Sequence, residues 1–198
     1  VSMPEKKHSL QDPKTVLCSK PDDVLDFIHG DYCRICGRFD ERAFLENRYQ
    51  ALFVFQSVLG NYVKMLYKAF DRDLIMALVM CEIWQYNFGR YFVRHGQENA
   101  TEILDDPVKR DQLLPPCNTY SISQVLGVPN ETVRRKVKKL VARGWVNNGN
   151  GQLVASKAIE EFFAPSLSLE AMRDFVSAAR HILAILEDEP KDRNRVDP

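Results

Sequence analysis

The 198-residue sequence predicts a mainly α-helical protein. It should comprise an N-terminal helical domain, a pair of short helices followed by a small β-hairpin, and a long C-terminal helix. Three observations carry that expectation. Apolar residues recur at spacings of three and four along two long stretches, 40–70 and 169–186, as amphipathic helices require. A single glycine, Gly127, separates two shorter helical segments, and glycine enters the left-handed backbone region at no steric cost. Two short apolar runs, Trp145-Val146-Asn147 and Gln152-Leu153-Val154, flank the turn Asn148-Gly149-Asn150-Gly151, the composition of a hairpin.

Residues 1–18 are polar and hold two prolines, so they read as loosely ordered. A helical domain is expected over 19–95. Ser19-Lys-Pro-Asp-Asp opens its first short helix, with Pro21 in the first turn and carboxylates at the positive end. Cys33 and Cys36 follow with His29 nearby. A structural zinc site needs four ligands and no second Cys-x-x-Cys exists, so packing is the preferred reading and no metal or cofactor is expected. From Asp40 to Phe70, the residues Phe44, Leu52, Phe55, Leu59, Tyr62, Val63, Leu66 and Tyr67 mark one long helix. A third helix should run from Leu74 to about Val93. Its first half, 74–84, is apolar except for Glu82. That is about half of the roughly 20 residues needed to cross a bilayer, so a buried helix is expected, with Glu82 a candidate buried carboxylate. Tyr86, Phe88, Tyr91 and Phe92 read as core. Residues 96–118, rich in Asn, Asp, Gly and Pro, read as a linker with room for a short helix at 101–104 or 108–114.

Residues 119–156 carry the densest pattern. Ser121 with Gln124 three positions later fits a capping box, and Ile122, Val125 and Leu126 give that helix an apolar face. Asn130 is a good N-cap for the next helix. Val133, Val137, Leu140 and Val141 form its buried stripe. The remaining faces carry Glu131, Thr132, Arg134, Arg135, Lys136, Lys138, Lys139 and Arg143, six positive charges against one negative. A helix, a glycine turn, a basic helix and a Gly-rich hairpin, in that order, outline a winged helix-turn-helix and point to double-stranded DNA. By side-chain chemistry, Arg135 can engage guanine O6 and N7, Glu131 can accept from cytosine N4, and Asn130 can pair with adenine. Thr132, Arg134 and Lys138 suit phosphates. Asn148 and Asn150, with Gln152, can reach backbone or minor groove from the wing. Lys136 and Lys139 are expected to be simply solvated.

The run Gly127-Val-Pro-Asn-Glu-Thr-Val-Arg-Arg-Lys-Val-Lys-Lys-Leu-Val-Ala-Arg-Gly-Trp-Val146 resembles the winged helix of bacterial transcription regulators of the Crp–Fnr, MarR and GntR types. The resemblance covers about a fifth of the chain. It implies DNA binding, with base readers at the positions of Asn130, Glu131 and Arg135 if the Crp–Fnr pattern holds; Asn130 stands where that pattern usually has Arg or Ser. The MarR and GntR types place helices around the module, as expected here.

Residues 157–189 should supply C-terminal helices, and 190–198 a polar tail. A brief helix at 157–163 is stopped by Pro165, and Ser168 caps a helix to about Glu187. Leu169, Met172, Val176, Ala179, Leu183 and Leu186 form one heptad seam, with Phe175, Ala178, Ile182 and Ile185 beside it. So wide an apolar arc suits cover from two sides, the chain's own helices and a partner subunit, which predicts a homodimer. Lys and Arg number 27, as do Asp and Glu, so acidic pairs such as Asp105-Asp106 and Glu160-Glu161 offset the basic helix and leave the steering field local. Five cysteines without an apolar leader suit a reducing cytoplasm. No phosphate loop, paired catalytic carboxylates or nucleophile–His arrangement stands out, so no enzyme is expected. The expected function is dimeric, sequence-specific transcription regulation. Two alternatives stay open: a winged helix that docks proteins without DNA, and a regulator that senses redox state or a small-molecule effector through its N-terminal helices.

Overall fold

A computed structural model describes residues 40–96, 98–163 and 168–187, all within one compact unit, Arg38–Pro198. The expectations for the first short helix, Cys33, Cys36, Pro165 and the tail lie outside the described residues. In chain order the elements are α1 (Glu41–Ala69), α2 (Leu74–His95), α3 (Ala100–Asp105), α4 (Pro107–Leu113), α5 (Thr119–Leu126), α6 (Asn130–Ala142), β1 (Val146–Gly149), β2 (Gln152–Ala155), α7 (Lys157–Phe163) and α8 (Leu169–Glu187). The described chain is mainly helical, with one antiparallel two-stranded hairpin.

The two long N-terminal helices begin as their sequences dictate. Asp40 caps α1 through Arg42 N and Ala43 N, and Asp73 caps α2 through Met76 N. Between them the chain turns at Asp71 and Arg72, both left-handed at φ 53° and 66°, an unfavourable conformation for residues with a Cβ. Neighbouring contacts hold it there. Arg72 N donates to Tyr67 O and Asp73 N to Phe70 O. Phe70, fully buried, meets Trp145 edge-on at 5.4 Å and stacks on Phe163 at 5.6 Å.

α2 is the centre of the core and packs against α6, α5 and β2. Met76, Val79, Met80, Ile83, Phe88 and Tyr91 meet side chains of the later helices and the hairpin in one continuous cluster. Residues 96–118, read from sequence as a linker, belong to that cluster. They form α3 and α4 and bury Ala100, Leu104, Arg110, Leu114 and Cys117. The reason lies in local chemistry. Asp106 caps α4 through Val108 N and Lys109 N with Pro107 in the first turn. Arg110, 2% exposed, then forks onto both carboxylate oxygens of Glu160 at 2.9 and 3.0 Å, donates to Ala155 O and lies over the Phe88 ring. An apolar pocket tolerates a guanidinium only when it is paired in this way.

A second buried polar residue, Asn87, completes the sheet. Its Nδ2 donates to Pro115 O at 2.7 Å and to Leu153 O at 3.2 Å, and its Oδ1 accepts from Ala155 N at 2.8 Å. Cys117 bridges Leu153 on the same edge of β2. The strand edge that β1 leaves open is therefore satisfied by the Cys117 backbone, the Asn87 carboxamide and the Arg110 guanidinium, which donates to Ala155 O. Burial pushes the Cys117 thiol up to about 12, where the charge of Glu82 also raises it and a backbone hydrogen bond opposes. Glu82 itself is half-buried rather than enclosed, and burial raises its pKa.

Several local expectations need correction. α5 begins two residues earlier than Ser121, because Asn118 Oδ1 accepts from Ser121 N and takes the capping role. Asn130 is the first residue of α6 and makes no capping bond; Pro129 holds the cap position, with its carbonyl accepting from Thr132 N and Val133 N. Val125 and Val141, expected inside, are exposed because each lies at the margin of its helix's apolar arc. Leu52, Phe55, Leu59, Tyr62, Val63 and Tyr67 on α1 are likewise 39–45% exposed. α1 packs against α8 through another seam, in which Ala51 is buried and Asn47, Val54 and Val58 are half-buried. On α8, Ala178, Ile182 and Ile185 are half-buried while Phe175 is exposed beside Leu169, Met172, Val176 and Leu183.

Replacing Asn87 with Ala strands the Ala155 amide in the core and leaves the half-buried Pro115 carbonyl without its donor. At about 1–3 kcal/mol per unsatisfied buried group, less for the half-buried one, the variant should lose about 2–4 kcal/mol, read as a lower urea midpoint at unchanged slope. An unaltered midpoint would show that the carboxamide is dispensable.

Candidate nucleic-acid interface

The basic helix α6 owes its orientation to what lies on either side of it. At its start Gly127 adopts φ 62°, and its N–H and that of Val128 both close on Ser123 O, so α5 ends sharply and α6 leaves in a new direction. On its inner face Val133, Val137 and Leu140 are buried against the core. The outer face is thereby fixed. Glu131, Arg134, Arg135, Lys138 and Lys139 are exposed, and Asn130 and Thr132 are half-buried. The Asn130 Oδ1 atom is buried without a hydrogen-bond partner.

The positive charges divide into two groups. Lys136, expected in solvent, is 12% exposed and donates to Asp73 Oδ2 at 2.5 Å. Lys139 Nζ lies 3.8 Å from the same oxygen. Arg143 pairs with Asp71 and lies 4.7 Å over the Trp145 ring. The strained turn between α1 and α2 thus holds one flank of α6 by charge. Burial alone raises the Asp73 pKa. Hydrogen bonds from Lys136 and Met76 N, with the charges of Lys136 and Lys139, outweigh it and hold the carboxyl below its ordinary range. Arg134, Arg135 and Lys138 make no ion pair among the described residues, and they share an exposed surface with Glu131.

The hairpin lies directly after α6 and packs against it. Gly149 pairs with Gln152, which leaves Asn150 and Gly151 as a two-residue loop at φ 53° and 84°. Both values are positive, the backbone that matches the twist of paired strands. Asn148 Oδ1 accepts from Gly151 N at 3.0 Å, so that side chain stabilises the turn and keeps its Nδ2 to donate elsewhere. Asn147, Asn148, Asn150 and Gln152 are all exposed. The structure therefore brings Glu131, Arg134, Arg135 and Lys138 together on one helix face and Asn148 with Asn150 on the adjoining hairpin. Sequence reasoning passed over Tyr120, 64% exposed on α5. It also missed the pairing of Lys136, for which the only signal was the acidic Asp71-Arg72-Asp73 turn far away in sequence.

Other chemistry is sparse. An open groove of about 580 Å³ lies between α2, α4 and the hairpin, lined by Tyr86, Arg94, Gln112, Pro115, Asn147 and Gln152 among others. Phe88 and Tyr91 are in the core and Phe92 packs against it. Among the described residues no group of three or more His, Cys, Asp or Glu side chains could hold a metal ion, and no helix is long and apolar enough to cross a membrane. No family model matches the chain, and no significant match exists among curated proteins or solved structures.

Asp73 both caps α2 and anchors Lys136, so Asp73→Ala should cost about 1–2 kcal/mol, the usual value of a lost cap. Its folded pKa is lowered, so the ionised form stabilises the fold above the unfolded value near 3.9 and that contribution disappears as pH falls through the lower folded value. Chemical denaturation should separate wild type from variant at neutral pH, and the two should converge in strong acid. A gap that stays constant with pH would contradict this role.

Proposed function

We propose that the chain is a sequence-specific, double-stranded-DNA-binding transcription regulator that acts as a dimer. In this reading residues 119–156 form a winged helix-turn-helix, α6 is the recognition helix and β1–β2 the wing. The observation that supports it best is the split of the α6 charges. One flank is neutralised against Asp71 and Asp73, and Arg134, Arg135 and Lys138 lie on the face opposite the core with no ion pair among the described residues. A helix held at both its inner face and one flank offers its remaining cations in a fixed array, as groove entry requires. The neutral total charge does not oppose this, because steering depends on the local field. Arg135 is the base reader, with Glu131 beside it, and Arg134, Lys138 and Thr132 contact phosphate. The exposed amides of Asn148 and Asn150 contact the backbone or the minor groove. Asn130, half-buried, reaches the adenine edge only through its amide nitrogen or after a side-chain turn.

Fluorescence anisotropy with duplex DNA tests the reading. Binding should weaken steeply between about 50 and 200 mM salt. Arg134→Ala should lower affinity for every sequence and reduce the salt slope by about 1. Arg135→Ala should instead relax the preference at one base pair, by about 1–3 kcal/mol. Wild-type protein that ignores duplex DNA at low salt would overturn the proposal, and equal weakening of all sequences by Arg135→Ala would demote that residue to a phosphate clamp.

A further inference from the structure

We infer that a second copy of this chain seats antiparallel on the exposed apolar stripe of α1, where Gly60 leaves room for the partner's helix. Leu45, Tyr49, Leu52, Leu59 and Val63 recur at heptad spacing along a face that α8 does not cover, and Phe53 widens it. With Tyr67, seven large apolar side chains on that side of α1 are 40–75% exposed. At about 200 Å² per large side chain, they leave on the order of 700 Å² of apolar surface on this helix alone. The largest such patch on an ordinary monomer is about 300–600 Å², and a stable interface needs about 800 Å² from each partner. Together with the exposed apolar side chains of α8, the area reaches that of a stable protein contact.

Gly60 and the placement of charge indicate the occupant. Glycine inside a helix costs about 1 kcal/mol relative to alanine, and here a Cβ added at Gly60 would meet nothing within 4 Å. Nothing among the described residues requires it. Glycine lets a second backbone approach closely, which is the use left for it on an apolar face. Between Ala51 and Val63 there is no charged residue. Beyond that apolar centre, Glu41 and Glu46 lie only at the N-terminal end, and Lys64 and Lys68 only at the C-terminal end. Arg42, paired with Glu46, and Arg48 share the N-terminal end, which with Asp40 and Glu41 keeps a net negative charge there. Two α1 helices pairing antiparallel about a twofold axis set the net-negative end of each near Lys64 and Lys68 of the other, as a self-complementary surface requires. With a net charge of zero, two copies also meet without overall repulsion. The exposed seam of α8, including Met172 and Val176, supplies further apolar surface.

The inference stands apart from DNA, so its test uses none. Sedimentation velocity of the full chain at micromolar concentration should give a particle of twice 22.8 kDa. Phe53→Glu and Tyr49→Glu alter the most exposed side chains of the stripe, where the monomer's core is untouched; each should raise the dimer dissociation constant at least tenfold with unchanged helical circular dichroism. Gly60→Leu should do the same while the monomer keeps or gains thermal stability, which separates a lost interface from a lost fold. A wild-type monomer, including one whose own N-terminal residues cover the stripe, overturns the inference. So does a dimer that all three variants leave intact.

Discussion

The architecture depends on Asn87. A two-stranded hairpin is marginal by itself in water, and β2 has one edge that β1 does not pair. Cys117 satisfies part of that edge and Arg110 donates to Ala155 O, while the Asn87 carboxamide places a donor on Leu153 O and an acceptor for Ala155 N. It thereby does the work of a peptide group in a missing strand. Because Asn87 sits on α2, the same bonds fix the hairpin to the helix against which α6 packs. The Arg110–Glu160 fork adds a second polar tie between α4 and α7. The Asn87 carboxamide uses both its N–H groups and its oxygen, and a buried polar group so satisfied specifies one arrangement where a half-satisfied one costs stability.

A separate constraint comes from the turn at Asp71-Arg72-Asp73. Its backbone is held left-handed at two successive residues, yet its carboxylates reach the flank of α6. α1 ends at this turn, so the helix proposed to carry the second copy is joined by three residues to the anchor of the helix proposed to read DNA. Pairing through α1 would then set where two α6 helices lie, and a twofold particle could span half-sites about one DNA turn, roughly 34 Å, apart.

Much of this was legible in the sequence, and the exceptions have physical causes. The long helices, the Gly127 break, the basic face of α6 and the hairpin all followed from periodicity and turn chemistry, because those signals are local. The role of residues 96–118 did not follow. Their prolines and aspartates resemble a linker, whereas Asp106 and Pro107 start a helix whose Arg110 finds a partner 50 positions later. Asn87 and Lys136 were unreadable for the same reason: their partners are distant in sequence, and a polar residue in an apolar run gives no sign of which backbone it will meet. On α1 the pattern showed that many positions were apolar but not which seam α8 would cover. Of the candidate DNA contacts, Arg134, Arg135, Lys138 and Glu131 stand on the outer face as their spacing required, while Asn130 sits half-buried because the helix begins at it rather than after it.

The central claim is that α6 and the hairpin form the surface that meets duplex DNA. Hydrogen–deuterium exchange of the full chain with and without duplex addresses it directly, because it reports location as well as binding. The account predicts slower exchange on adding duplex across 130–142 and 146–155, with α1 and α8 unchanged. Slowing confined to α1 and α8, or none anywhere while the DNA is bound, would contradict it.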